Sequence, residues 1–151
     1  MLFGNEYNWL CLEQLIDTSS NELVVFISQT KKSEPFINMF EDSKVREILS
    51  NTMQIVSDET QTYKITFCNY IMYQDRNESY ANKNDNEICV GKGLILFEKS
   101  SLLKYVYDVI DISLAKLMQQ KNKLQHYGIY TLNNIIDVIT FNEPLVEKVK
   151  K

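Results

Sequence analysis

The sequence predicts a single α+β domain in which a mostly antiparallel sheet packs against a long helix and shorter N-terminal helices. One pattern behind this prediction is the two-residue alternation of TYKITFCNYIMY (62–73), which is typical of a strand with one buried face. Another is the apolar stripe of SSLLKYVYDVIDISLAKLMQQK (100–121), whose three- and four-residue steps indicate a helix. Short apolar runs such as LVVFIS and IIDVIT have the length and β-branched composition of strands.

The first fifty residues are predicted to contain three helices and one strand. From Tyr7 to Ile16 the apolar residues recur at helical spacing, so we expect a short amphipathic helix there. Leu23 to Ser28 forms the first predicted strand. Ser33 can cap a helix whose buried side lies within 36–40, and a further short helix covers Ser43 to Leu49.

The middle of the chain is predicted to form hairpins. Residues 53–56 and the alternation at 62–73 are expected to flank a polar turn at 57–60. Within the alternation, Asn69 interrupts the apolar face and predicts a bulge. Gln74 to Glu87 is rich in Asn, Asp and Glu and predicts a solvent-exposed loop, after which Ile88 to Phe97 returns as an antiparallel neighbour.

The C-terminal part combines the long helix with a second hairpin. Ser100 or Ser101 can cap the helix, and its predicted buried stripe is Leu103, Val106, Ile110, Leu114, Leu117 and Met118. Two extended runs follow around Asn133 and Asn134, and Pro144 ends the last one. We therefore expect one domain over 1–151, with N-terminal helices and first strands at 1–61, strands and long helix at 62–144, and a tail at 145–151.

Bulk properties restrict the classes of partner and compartment. The 151 residues carry 20 acidic and 16 basic side chains, a net charge of −4, which disfavours direct binding to nucleic acid. The N-terminus lacks the basic region of an export signal, and no apolar run reaches the roughly 18 residues that cross a bilayer. The three cysteines show no CxxC spacing, as expected for a reducing compartment, and we predict a cytoplasmic protein.

The residue patterns favour no catalytic chemistry. The single histidine, His126, has no nucleophile signature beside it or beside any cysteine. No CxxC or HxxxH pair suggests a metal site, and the glycines of GKG (91–93) lack the rest of a phosphate-binding loop. Asp108 and Asp111 fit a solvated helix face better than an acid–base pair. We predict no enzyme activity, no cofactor and no metal.

The polar loop at 74–87 is the predicted partner-binding surface. Tyr80 is its only aromatic residue, and acidic side chains surround it in the sequence. Protein interfaces favour an aromatic anchor of this kind with charges around it. The predicted partner-binding residues are Asp75, Glu78, Tyr80, Asp85 and Glu87.

Residues 62–144 also resemble a known family. Three segments follow one another in the order YKITFCNYIMYQDRNESY, CVGKGLILFEKSSLLKYV and HYGIYTLNNIIDVITFNEP. In this order the chain resembles small bacterial immunity proteins of contact-dependent growth inhibition and related polymorphic toxin systems. The pieces that carry the resemblance are Asn77 to Tyr80, the EKSS turn at 98–101 and the IDVI strand. It implies stoichiometric binding to a cognate toxin, often a nuclease, whose active site or substrate-binding surface is covered. The acidity would then complement a basic partner.

Two other interpretations stay open at this point. In one, a small-molecule-binding or enzymatic α+β domain uses its aromatic strands, Gly91 and Gly93 to line a cavity into which Asn69 and His126 project. In the other, the chain is a structural or oligomerisation module that self-associates at micromolar concentration. The sequence leaves the oligomeric state open.

Overall fold

A computed structural model describes residues 9–33, 42–49, 53–82 and 84–149 of the chain. These ranges contain nine strands, three short α-helices and one 3-10 turn. The strands are β1 (Leu10–Asp17), β2 (Glu22–Lys32), β3 (Ile55–Cys68), β4 (Met72–Asn77), β5 (Ile88–Lys92), β6 (Leu94–Lys99), β7 (Gln125–Tyr130), β8 (Asn134–Thr140) and β9 (Leu145–Lys148). The helices are α1 (Ser43–Leu49), α2 (Ser101–Val109) and α3 (Ile112–Gln119), and the 3-10 turn is Glu78–Tyr80.

The strands form two antiparallel sheets. The first sheet has the order β1-β2-β3-β9 and the second has the order β4-β8-β7-β6-β5. The chain passes from the first sheet to the second at Asn69, which adopts a left-handed conformation (φ 53°) and donates its backbone N–H to the Asn21 carbonyl at 2.9 Å. Asparagine tolerates this conformation better than most residues, so the predicted bulge is instead a turn between sheets.

The main core lies between the two sheets. Alternate residues of a strand point to opposite faces, so each sheet presents one apolar face to the other. The buried members of this core are Leu10, Leu23, Val25, Ile27, Ile65 and Phe67 from the first sheet and Tyr127, Ile129, Ile136 and Val138 from the second. A smaller cluster covers the other face of the second sheet, where Val106 and Ile112 of the helices pack with Ile139. The second sheet is therefore the middle layer.

The predicted fold class, a sheet packed against a long helix with further N-terminal helices, is wrong: the chain is mostly β, and its helices are short. The N-terminal helix is replaced by β1. Leu10, Leu12 and Leu15 all contact the main core because the pairing of β1 with β2 shifts between Leu12 and Gln14. This bulge inserts an extra residue, so a two-residue step is followed by a three-residue step. That spacing imitates the periodicity of a helix.

The prediction of one long helix is also wrong, because residues 100–121 form two helices, α2 and α3. Ile110 has extended backbone angles (φ −116°, ψ 137°), and the Asp111 side chain accepts a hydrogen bond from the Leu114 N–H at 3.0 Å. Asp111 is thus the N-cap of a second helix, a role that aspartate fills better than a helix interior. The predicted buried stripe of this helix is therefore only partly buried. Val106 is buried, whereas Leu114, Leu117 and Met118 are exposed.

The two hairpins predicted in the middle of the chain are wrong, because β3 is one continuous strand and β4 and β5 lie at opposite edges of the second sheet. The predicted turn at 57–60 lies inside β3, and the pairing of β2 with β3 shifts there, leaving residues 59–61 without a strand partner. The predicted loop at 74–87 begins with β4, and the strand at 88–97 divides at Gly93 and pairs with β7. The predicted tail includes β9, which pairs with β3.

Other predicted elements are confirmed or lie outside the described residues. The strand at 23–28 lies within β2, the helix at 43–49 is α1, and β7 and β8 form the hairpin around Asn133. The helix expected after Ser33 lies mostly outside the described residues, as does the start of the first predicted helix. Within the described ranges, no helix combines the length and apolar composition that a membrane span requires.

The core between the sheets can be tested with a matched pair of leucines. Leu23 is completely buried, whereas Leu145 is 60% exposed on β9. We expect Leu23→Ala to lower the free energy of unfolding by about 2–5 kcal/mol, because it leaves a cavity. Leu145→Ala should change it by less than about 0.5 kcal/mol. Urea denaturation measures both values, and equal losses would contradict the assignment of the core.

Candidate functional site

A cleft lies over the face of the second sheet that points away from the first sheet. Two adjoining cavities of about 590 Å³ and 450 Å³ compose it. Both are lined by Arg76, Asn82, Asn84, Glu87 and Phe97, so they form one continuous depression. Its size is in the range of cavities that hold small ligands or protruding side chains of a partner.

The buried carboxylate of Asp137 organises one wall of the cleft. Its side chain is 1% exposed and lies in β8 between two apolar residues. The Oδ2 atom accepts hydrogen bonds from Gln74 Nε2 at 2.8 Å and from Arg76 Nε at 3.0 Å and Nη2 at 2.8 Å. A buried charge is stable only when it is paired in this way.

The other oxygen of Asp137 connects the wall to α2. His126 Nε2 lies 3.0 Å from Asp137 Oδ1, and because an ionised carboxylate only accepts, the imidazole donates this bond. On the opposite side of the ring, His126 Nδ1 lies 2.6 Å from Ser100 Oγ. Ser100 is the N-cap of α2 and accepts the Leu103 N–H at 3.1 Å. We call Ser100, His126, Asp137, Gln74 and Arg76 the buried polar chain.

Burial and hydrogen bonding act in opposite directions on the pKa of Asp137. Burial alone raises the pKa of the carboxyl. The hydrogen bonds from His126 and Gln74, together with the positive charge of Arg76, outweigh burial and hold the pKa below its ordinary value. Asp137 therefore stays ionised at neutral pH, and its negative charge holds the Arg76 guanidinium at the cleft.

An aromatic stack forms part of the cleft floor. Phe97 and His126 face each other across β6 and β7 with ring centroids 3.9 Å apart and planes 5° from parallel. Gly128 follows on the same face of β7, where an added Cβ would lie 3.0 Å from the Phe97 ring and 3.2 Å from the Tyr130 ring. The absence of a side chain at Gly128 therefore leaves room for both rings.

The rim of the larger cavity combines aromatic and acidic side chains. Trp9 and Tyr130 are exposed there, and Glu78 and Glu87 also line it. Glu87 Oε1 accepts the Ser101 N–H at 3.0 Å, which fixes its position at the start of α2. In the described part of the chain, the Glu78 side chain makes no hydrogen bond or ion pair, so it is available to a ligand.

The structure brings some of the predicted partner-binding residues together and separates others. Glu78 and Glu87 line the cleft, and Tyr80 lies beside Glu78 in the 3-10 turn with 85% of its side chain exposed. Asp85 lies in the exposed turn before β5 and does not line the cleft. Asp75 also lies outside the cleft, because it alternates with Gln74 and Arg76 along β4; its carboxylate accepts the Asn134 side-chain N–H at 2.8 Å.

The sequence contained signals for residues that its interpretation missed. Asp137 is the only charged residue in the apolar run NIIDVIT, and a lone carboxylate there must have buried donors. In the same way, Gln74 and Arg76 continue the two-residue alternation of the strand that was predicted to end at Tyr73. Asn69, expected beside His126 in a cavity, is instead exposed in the turn between sheets.

The order serine, histidine, aspartate in the buried polar chain has the composition of an acyl-transfer triad. Its geometry fits a structural role. Ser100 caps α2 and does not line the cleft, and His126 is 2% exposed and stacked against Phe97. Among the described residues, no group of three or more His, Cys, Asp or Glu side chains is arranged to hold a metal ion. The arrangement can bind a ligand through fixed donors, acceptors and aromatic surfaces.

Comparison of the chain with models of known protein families, with curated proteins and with solved structures found no match. The resemblance to immunity proteins therefore stays a prediction from the sequence.

The role of Asp137 can be tested through the pH dependence of stability. The folded-state pKa of Asp137 is depressed, so its contribution to the stability of the fold is present at neutral pH. That contribution is lost as the pH falls below about 4. We expect Asp137→Asn to lower the free energy of unfolding by about 1–3 kcal/mol at pH 7. The variant should also lose less stability than the unaltered protein when the pH is lowered. Urea titrations at several pH values measure this effect.

Asp75→Asn is the matched control, because Asp75 is exposed on the neighbouring strand. It should retain the acid-induced loss of stability seen in the unaltered protein. An Asp137→Asn protein with an unchanged pH profile would contradict the role assigned to this carboxylate.

Proposed function

We propose that this protein is an immunity-type inhibitor, which binds a cognate bacterial toxin domain in the cytoplasm and covers its active site or substrate-binding surface. The cleft and the 3-10 turn beside it form the docking surface. The observation that carries the proposal is that three predicted partner-binding residues, Glu78, Tyr80 and Glu87, lie in or beside this cleft with Trp9 and Tyr130.

The composition of this surface supports a protein partner. Tryptophan, tyrosine and arginine contribute most often to the binding energy of protein interfaces, and all three occur here in Trp9, Tyr130 and Arg76. Arg76 is already held by Asp137, so little side-chain entropy remains to be lost when a partner binds. A rigid wall of this kind is what a tight inhibitor requires.

The charge of the surface favours a basic partner. Glu78 and Glu87 line the cleft, whereas the positive charge of Arg76 is compensated by the buried Asp137 carboxylate. Opposite charges at the rim of an interface speed association and select the correct partner more than they set affinity. A toxin that cuts nucleic acid carries a basic active-site surface of this complementary kind.

A second candidate function is the binding of a small molecule, and one observation favours it. The larger cavity has a volume of about 590 Å³ and combines the apolar floor of Phe97 with a few converging polar groups. Burial raises the pKa of the Tyr130 phenol at its rim, so that group stays protonated and can donate a hydrogen bond.

Binding to a candidate toxin domain from an adjacent open reading frame tests the first proposal. We expect a stable one-to-one complex and loss of the toxin's activity. Glu78→Lys and Tyr80→Ala should each weaken binding by about ten-fold or more, because one reverses a rim charge and the other removes an aromatic anchor. Calorimetry with purified proteins measures the affinities.

The matched controls are Glu143→Lys and Tyr107→Ala, which alter exposed residues outside the cleft. They should leave the affinity unchanged. If the control substitutions weaken binding as much as the cleft substitutions do, the partner binds elsewhere on the molecule. If no complex forms with the toxin domain, the proposal is lost.

A chemical probe gives an independent readout of the same surface. Cys89 is exposed and lines the cleft, whereas burial raises the pKa of the Cys11 and Cys68 thiols and slows their reaction. Alkylation should therefore modify Cys89 first, and the bound toxin domain should protect it. Unchanged alkylation of Cys89 in the complex would show that the cleft stays open.

A further inference from the structure

The helix α3 carries an exposed apolar face that the proposed function does not use. Leu117 and Met118 are each 76% exposed, and Leu114 is also exposed. Their spacing of three and four residues puts them side by side on one face of the helix. Ile112 and Ala115 occupy the opposite face and pack against the second sheet, so the helix is anchored. An exposed apolar surface of this kind usually marks an interaction site.

The charges at the two ends of this face have opposite signs. Asp108 and Asp111 precede α3, and both are exposed. Lys121 and Lys123 follow it and are also exposed, and the next acidic residue in the sequence is Asp137, which is buried. Along the chain, the apolar face of α3 is therefore preceded by two exposed acidic residues and followed by two exposed lysines.

This pattern is complementary to itself when two copies meet in antiparallel orientation. A two-fold axis near residue 116 brings Leu114 opposite Met118 of the second copy, and Asp111 opposite Lys121. In such an interface each contact occurs twice, as a symmetric dimer requires. At about 1.5 Å per residue, Asp111 and Lys121 lie about 15 Å apart along the helix axis, so the two charges flank the apolar face, which spans about 6 Å from Leu114 to Met118.

We propose that the protein forms a two-fold symmetric homodimer through antiparallel packing of α3 against α3 of a second copy. The net charge of −4 disfavours an anionic membrane surface as the occupant of this face. One short helix from each copy gives an interface at the small end of the range for specific complexes. The dimer is therefore reversible and forms at micromolar concentration.

The dimer leaves both clefts accessible. Gln119 at the end of α3 donates to the Asn69 carbonyl at 2.9 Å, which locates this end of the helix beside the start of β4. Arg76, Glu78 and Tyr130 of the cleft lie at the other end of β4 and β7. A dimer through α3 would thus present two separate clefts.

Sedimentation velocity of the full-length protein over a range of concentrations tests the proposal. We expect a shift from monomer to dimer at micromolar concentration, and Leu117→Glu should remain monomeric at every concentration. Because Leu117 is exposed in the monomer, this variant should keep its circular dichroism spectrum and its cleft-dependent properties. Leu145→Glu, which alters an exposed leucine on β9, is the matched control and should still dimerise.

A charge reversal tests the antiparallel orientation. Lys121→Glu opposes two acidic groups and should raise the dimer dissociation constant by about ten-fold. Adding Asp111→Asn keeps the helix cap and removes the repulsion, so it should recover part of the affinity. A protein that stays monomeric at the highest soluble concentration overturns the proposal. A dimer that persists in Leu117→Glu, or that Asp111→Asn fails to restore, overturns it as well.

Discussion

The ionised carboxylate of Asp137, buried in the second sheet, is the constraint on which the cleft depends. Its charge must be met by donors inside the protein, and Gln74, Arg76 and His126 supply them from the two strands that flank β8. The same contacts fix the Arg76 guanidinium at the cleft and, through His126, the N-terminal cap of α2. One buried charge therefore sets the relative positions of three strands and a helix.

The larger cavity of the cleft and the face of α3 lie toward opposite ends of the second sheet. The cleft is built from rigid parts, because its floor is a stacked ring pair and its wall is the buried polar chain. The face of α3 owes its exposure to the break at Asp111, which separates the buried part of the apolar stripe from the exposed part. If both proposals hold, each copy of the dimer binds a partner through its own cleft.

Strand and turn chemistry made much of the β-structure predictable. The runs around Leu23 and Ile136 were recognised as strands, and Asn133 and Asn134 marked a hairpin. Errors arose where local spacing had two interpretations. A bulge gave β1 the periodicity of a helix. Asp111 could be interpreted as an exposed residue within one long helix or as the N-cap of a second helix, which it is. Tertiary packing resolves such cases, since it determines which faces are buried.

The sequence by itself determined the absence of a long membrane-spanning run, the apolar content of the strands, and the acidic and aromatic composition of residues 78–87. Only the tertiary structure decided which of these residues meet. Asp137, His126 and Arg76 are far apart in the chain and join through the pairing of β4, β8 and β7. Strand order is a long-range property, because it depends on how the apolar faces of the whole sheet are covered.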